Sequence, residues 1–291
     1  MWKVRDMSKI WFSLLALLPV VVGGEAHAAY SCSVSATSIS VVYSPTVATE
    51  NITTGSWTLS CTRLAGDPAT LNFSIAANNG NQPAGGTNRV RRGASTDYYS
   101  YELYRLAPYV NGNRWQPGNR ITGALAFGAA LSATISGPFD LRLPGSQTPV
   151  GTAGTYTDNV VMTLRDTTTN TVLAPGGNFN VSVVTTNSCQ ITTSPGNLGF
   201  SYTSFQLAAA TANTTFVTRC TTGLPYILSI GANPSTLIGL SYTLGLSASS
   251  ATGNGSEQTF TINGSIAGGQ AGTCAAANCS GSQMRTLTVS Y

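Results

Sequence analysis

The stretch Phe179-Asn-Val-Ser-Val-Val-Thr-Thr-Asn187 alternates apolar and polar residues and leads directly into Cys189. Period-two alternation in a run rich in β-branched residues is the pattern of a half-buried strand. Its position reads as the last strand of one domain running into the first strand of another. Upstream, Thr155-Tyr-Thr-Asp-Asn-Val-Val-Met-Thr-Leu164 reads as a strand as well. A turn-rich connection over 167–177 joins the two as an antiparallel hairpin, so the first domain is expected to be closed by its own strand. Near the end of the chain, Arg285-Thr-Leu-Thr-Val-Ser-Tyr291 resembles the 160–164 segment, and no partner strand is read after it. The second domain is therefore expected to be one strand short.

A chain of 291 residues with 42% hydrophobic content can form two domains with cores of their own. Its first 28 residues read as an export signal. Lys3, Arg5 and Lys9 precede the apolar run 10–22, and Ala26-His-Ala28 offers small residues for cleavage before Ala29. The run is too short for a spanning helix. Removing this segment takes away three of the 14 basic residues and two of the 10 acids, leaving 11 Arg, 8 acids, no Lys and no His. So sparse a charge is not a nucleic-acid footprint, which needs clustered basic residues. The one cluster, Arg89, Arg91 and Arg92, reads as a solvated loop.

Six cysteines in an exported chain point to disulfides. Spacing suggests Cys32–Cys61 near the start of the first domain, Cys189–Cys220 in the equivalent place of the second, and Cys274–Cys279 between close neighbours. A zinc site would want a histidine or a second Cys pair, and neither accompanies Cys274 and Cys279.

Domain one (29–186) reads as short strands at 34–42, 56–62, 70–76, 98–106, 131–135, 139–143, 155–164 and 179–184, separated by Gly, Pro and Asn clusters. Domain two (187–291) repeats the plan at 189–193, 215–220, 225–230, 240–246, 258–262 and 285–291. No stretch sustains a helical period. The fold class expected is all-β: two immunoglobulin-like antiparallel sandwiches, the second lacking its last strand.

Catalysis has little to work with. Without His or Lys, Ser-His-Asp, Cys-His and Ser-Lys sites are excluded, and disulfide-bonded cysteines are not nucleophiles. Asp97 with Glu102, or Asp158 with Asp166, are the sequence-near carboxylate pairs that glycoside hydrolysis could use, yet they read as ordinary strand-end positions. No phosphate-cradling glycine loop follows a strand, and no cofactor or metal is expected. The aromatic run 98–104 reads as a strand with one face in the core rather than a sugar-stacking platform.

Tyr101-Glu-Leu-Tyr104, Gly154-Thr-Tyr-Thr-Asp158 and the Cys32…Cys61 spacing resemble the spore coat U family. Phe260-Thr-Ile-Asn-Gly264, Gly268-Gly-Gln270 and the terminal Thr-Val-Ser-Tyr291 are similar to that family's second half. Domain two departs from the pattern with Ser280-Gly-Ser-Gln-Met284 where Gly-Thr-Tyr-Thr-Asp would stand. The resemblance implies subunits of archaic, Csu-type chaperone–usher pili, and a two-domain member resembles their tip adhesin. It implies a periplasmic chaperone, an outer-membrane usher and an adjacent pilin subunit as partners, with export through the periplasm to the pilus tip. A domain lacking its last strand leaves an edge that another chain fills by donor-strand complementation. Only Ala29-Tyr30-Ser31 stand between the expected cleavage point and Cys32, about 10 Å of extended chain, too short to complement a neighbour. The chain is expected to accept a strand and not to donate one. A non-adhesive structural protein of a coat or matrix is the alternative reading.

By strand alternation, the pole of domain one far from domain two should carry residues 63–68, 107–130 and the turn before 179. These connections hold Leu64, Tyr109, Val110, Trp115, Leu125, Phe127, Val172, Leu173 and Pro175, and the resemblance to tip adhesins, whose apolar head loops bind hydrophobic surfaces, implies that they bind hydrophobic abiotic or host surfaces. About half of them are expected to fold back into the core.

Overall fold

The computed structural model describes residues 30–291 apart from 232 and 233; the expected export signal, 1–28, lies outside the described residues. Ten strands make the N-terminal sandwich. They are β1 (Ser31–Ala36), β2 (Ile39–Tyr43), β3 (Asn51–Thr62), β4 (Thr70–Ala77), β5 (Asn88–Arg91), β6 (Tyr98–Tyr104), β7 (Ile121–Ala126), β8 (Ser132–Leu143), β9 (Gly154–Asp166) and β10 (Val172–Thr185). They form one curled sheet in the order β1-β3-β8-β6-β5-β9-β10-β2, with β4 bridging β7 and β9. The C-terminal sandwich has β11 (Cys189–Thr193), β12 (Ala210–Cys220), β13 (Pro225–Ile230), β14 (Ser235–Leu237), β15 (Leu240–Leu246), β16 (Ser250–Thr252), β17 (Glu257–Ile266) and β18 (Leu287–Ser290). These divide into the sheets β11-β12-β17-β15-β14 and β16-β13-β18. The one helical element among the described residues is a 3-10 turn, Asn111–Asn113.

Alternation drives both halves. Along β3, Trp57, Leu59 and Cys61 are buried while Thr58, Ser60 and Thr62 face outward, the two-faced pattern of an antiparallel sheet with one wet side. Along β6, Tyr99, Tyr101 and Leu103 point into the same core. Cys32 pairs with Cys61 in register between β1 and β3, and Cys189 with Cys220 between β11 and β12. The third disulfide joins Cys274 and Cys279 in an exposed loop.

Several elements depart from the expectation: β14 and β16 stand where no strand was expected, 131–135 and 139–143 form the single strand β8, and β5 and β7 are new. The arginine cluster is no free loop: Arg89 and Arg91 lie on β5, the Arg89 guanidinium stacks on the Tyr98 ring at 4.2 Å, and Arg92 pairs with Asp97 at 3.5 Å. Residues 121–126, expected inside a long connection, are β7, which pairs with β4 over its whole length. The break between β1 and β2 lets one segment flank both ends of the curled sheet, β1 antiparallel to β3 and β2 parallel to β10.

The two sandwiches meet at a bracket. The Val150 N–H donates to the Gly255 carbonyl at 2.8 Å, and the Val150 carbonyl accepts from the Thr222 N–H at 3.2 Å and hydroxyl at 2.7 Å. Val150 is fully buried there. Gly255 has φ +79°, and a Cβ on it would come within 2.5 Å of the Val150 oxygen, so the bracket needs glycine on two counts.

Candidate strand-accepting edge and apolar loops

The corresponding strands β9 and β18 show the difference between the two sandwiches. β9 has neighbours on both sides: β4 and β5 on one, and β10 on the other, antiparallel from Gly154↔Thr185 to Arg165↔Val172. Its inward residues Tyr156, Val160, Met162 and Leu164 are fully buried. Phe179, Val181 and Val183 of β10 complete that wall, and Phe179 packs its ring on Trp115 and Phe139. β18 pairs with β13 alone among the described residues, from Ile227↔Ser290 to Ile230↔Leu287. Its inward residues Leu287 and Val289 are only half-buried, and so are Leu198, Ile230, Leu244 and Leu246, which pack on the same cluster. The C-terminal core thus has an uncovered side where the N-terminal core has β10. Unpaired backbone groups beside half-buried apolar side chains form a template for another strand.

The nine apolar loop residues do not form one patch. Trp115, Leu125 and Phe127 are buried and leave the surface-binding set. Trp115 hydrogen-bonds the Ile75 carbonyl through its indole N–H at 3.0 Å and stacks on Phe179. Leu125 sits on β7, and Phe127 follows it, stacked on Tyr30. Leu173 is half-buried against the core because β10 begins at Val172, earlier than the expected turn allowed. The side chain of Pro175 is not described. Tyr109 and Val110 lie on the flank, not at the far pole: the Tyr109 hydroxyl reaches Asp140 at 3.3 Å, and Asp140 sits opposite Thr54 in mid-sheet. Eight residues of β3 separate that level from Thr62, about 26 Å along the strand.

At the far pole itself, the 63–69 and 128–131 connections are tied together. Arg63 donates to the carbonyls of Asp67, Gly128 and Ala130, and its N–H bonds the Leu131 carbonyl. Leu64 and Val172 remain exposed there, and Leu131, absent from the expected set, joins them. Adjacency of Leu131 to a strand end could have suggested it from the sequence.

Apart from Glu257, the carboxylates of the described residues are occupied in holding structure. Arg114 and Arg142 bind Glu102, Arg142 also holds Glu50 at 2.6 Å, and the Tyr104 hydroxyl donates to Glu102. This network fastens the 105–120 segment to β8. Asp158 is buried and accepts three bonds, from the Tyr101 hydroxyl at 2.7 Å and the Asn81 and Asn159 N–H groups at 2.7 and 2.9 Å. Burial pushes its carboxyl above the ordinary 3.8, with those bonds opposing. Asp166 caps the turn after β9 through the Thr168 N–H at 2.7 Å. Neither sequence-near carboxylate pair faces a common cleft.

The fold is a tandem of immunoglobulin-like β-sandwiches, one closed and one with an open edge. The model of the Spore Coat Protein U domain matches residues 17–163 and 176–241, and the chain belongs to that family, whose members are structural and adhesive proteins rather than enzymes. No curated protein matches the sequence. Among solved structures it is similar to the CsuC-CsuE chaperone–tip adhesion subunit pre-assembly complex of the archaic chaperone–usher Csu pili of Acinetobacter baumannii. That pair has 15% identity and a TM-score of 0.42, covering 90% of this chain and 100% of that one. It is also similar to the CupB6 tip adhesin of Pseudomonas aeruginosa, with 11% identity, a TM-score of 0.35, and 90% and 96% of the chains covered.

Proposed function

We propose that this chain is a tip subunit of a chaperone–usher pilus that attaches cells to surfaces and supports biofilm formation. The open edge of β18, set against the closed β9–β10 pair, is the observation that carries the reading. A periplasmic chaperone first supplies the missing strand, an outer-membrane usher exchanges it, and the adjacent pilin subunit keeps the edge covered. The closed N-terminal domain is then the binding head.

Its far pole offers Leu64, Leu131 and Val172, each about half to two-thirds exposed, to an apolar surface. Burying what remains of three such side chains yields about 3–6 kcal/mol before association costs. A single head therefore binds no tighter than about millimolar, and many fibres together supply the avidity. Because the attraction is apolar, attachment to polystyrene persists at high salt, where arginine contacts would be screened.

The test is co-expression with a periplasmic chaperone encoded beside the chain, followed by replacement of Leu64, Leu131 and Val172 with Ser in the head. A soluble one-to-one complex and at least a several-fold loss of adhesion are expected. Self-assembly without chaperone, or adhesion abolished by salt or by a free sugar, rejects the reading.

A further inference from the structure

The most exposed large side chain near the C-terminal sandwich's outer pole is Leu207, at 98%, and Phe205 beside it is 68% exposed. Both project from the 194–209 connection between β11 and β12. β11 starts at Cys189 beside the N-terminal domain, and β12 returns there at Cys220, so this connection stands at the pole facing away from that domain.

It is no slack loop. The Phe205 N–H donates to the Gln270 carbonyl at 2.8 Å, the Gly269 N–H to the Gln206 carbonyl at 2.7 Å, and the Ser204 hydroxyl to the Ala271 carbonyl at 2.8 Å. Gln206 closes the tip by donating to the Ala208 carbonyl and accepting from the Thr203 N–H. Gly268 packs so closely that a Cβ on it would meet the Leu207 carbonyl at 2.2 Å. Phe205 is held at φ +59°, a conformation that L-residues rarely adopt and that persists only where surrounding bonds impose it. Those bonds fix two large apolar side chains in water. Residues 194–209 and 263–284 contain no Asp, Glu, Lys, Arg or His, so the face suits an uncharged apolar partner.

The direction of β18 says which partner reaches it. In the N-terminal domain, β10 runs antiparallel to β9 and leaves at the pole facing the second domain. β18 starts at the outer pole, where Leu287 pairs with Ile230, and runs toward the N-terminal domain. A strand completing it in the same antiparallel sense therefore exits at the outer pole, beside Phe205 and Leu207. The folded body of the chain that supplies the strand is delivered there.

We propose that Phe205 and Leu207 form a second docking surface, which packs against the folded body of the strand-supplying subunit. This rests on the strand-accepting reading above, and the test separates the two. A photo-crosslinking residue is placed at Leu207 or, in a separate full-length chain, at Thr288 on β18, in cells assembling the pili. Both positions should capture the same polypeptide, Thr288 through its extended strand and Leu207 through peptides outside that strand. Capture from Thr288 with none from Leu207 overturns the docking surface and leaves the strand-accepting edge standing. Capture from neither overturns both.

The second arm is the double variant Phe205→Ser, Leu207→Ser, with folding checked by the melting of its purified chaperone complex. Retention of this chain on sheared, gently heated pili should fall by about tenfold, as when a pair of interface anchors is removed. Unchanged retention refutes docking. Unchanged retention with lost adhesion to polystyrene also refutes it, by moving this pole to surface attachment.

Discussion

Two valines on equivalent strands give the sharpest test of the open sandwich. Val160 on β9 is fully buried, and Val289 on β18 is half-buried with no strand outside it. Truncation to Ala removes two carbons, about 1.6 kcal/mol of transfer free energy when burial is complete, and a closed core adds a cavity term. Val160→Ala should therefore cost about 2–3 kcal/mol. Val289→Ala should cost only about 1–1.5 kcal/mol, since its side chain stays partly exposed and no closed cavity results. Appending a copy of Phe179-Asn-Val-Ser-Val-Val-Thr185 after Tyr291 through a short Gly-rich linker should raise the cost of Val289→Ala to about 2 kcal/mol. The assay is denaturant unfolding of a chain begun at Ala29. Trp57 and Trp115 then report the N-terminal sandwich by fluorescence, and circular dichroism follows the second, which has no tryptophan. Equal costs for the two truncations in the chain without the appended strand would refute the open-edge argument.

Asp158→Asn should stabilise the N-terminal domain at neutral pH. Folding raises the Asp158 carboxyl, so the ionised form costs stability at every pH above the raised value, and the cost fades as pH falls toward and below 3.8. The Asn amide can keep the Asn81 and Asn159 bonds and donate to Tyr101. The gain over the parent should shrink to nothing in acid, and a gain independent of pH would contradict the assignment. On β17, a Cβ at Gly264 would stand 2.4 Å from the Phe200 ring and 2.5 Å from Leu198. Gly264→Val should thus destabilise the C-terminal sandwich by about 1–3 kcal/mol without moving the tryptophan-reported transition, as paired unfolding curves will show.

Most strands were legible because their alternation is written in β-branched and aromatic residues. The run 179–187 led to the closing strand, and β18 showed itself by likeness to β9. What escaped had weak patterns. β7 reads Ile-Thr-Gly-Ala-Leu-Ala, with a glycine and two alanines in place of bulky alternation, and its pairing with β4 is long-range. β5 carries two arginines in four residues, which a sequence reading assigns to solvent, although Val90 between them is fully buried. The site suffered from the same blindness. Trp115, Leu125 and Phe127 read as loop apolars only while β7 was missing, since a hidden strand brings its neighbours into the core. The arginine fork that ties Leu64 and Leu131 together depends on carbonyls sixty-odd residues away, and no local pattern encodes it.

The Val150 bracket changes what the molecule is mechanically. A single covalent connection through residues 186–188 would let the head swivel on its support. Val150 adds a second point of attachment, hydrogen-bonded through both its N–H and its carbonyl and sealed from water. Both attachments converge on neighbouring residues, Ser188 on Thr221 and Val150 on Thr222, so the bracket braces the joint where the covalent connection enters. A sideways pull at the far pole then arrives at the base as torque about the bracket, and the weakest link under drag is the bracket's three hydrogen bonds rather than the fold of either sandwich.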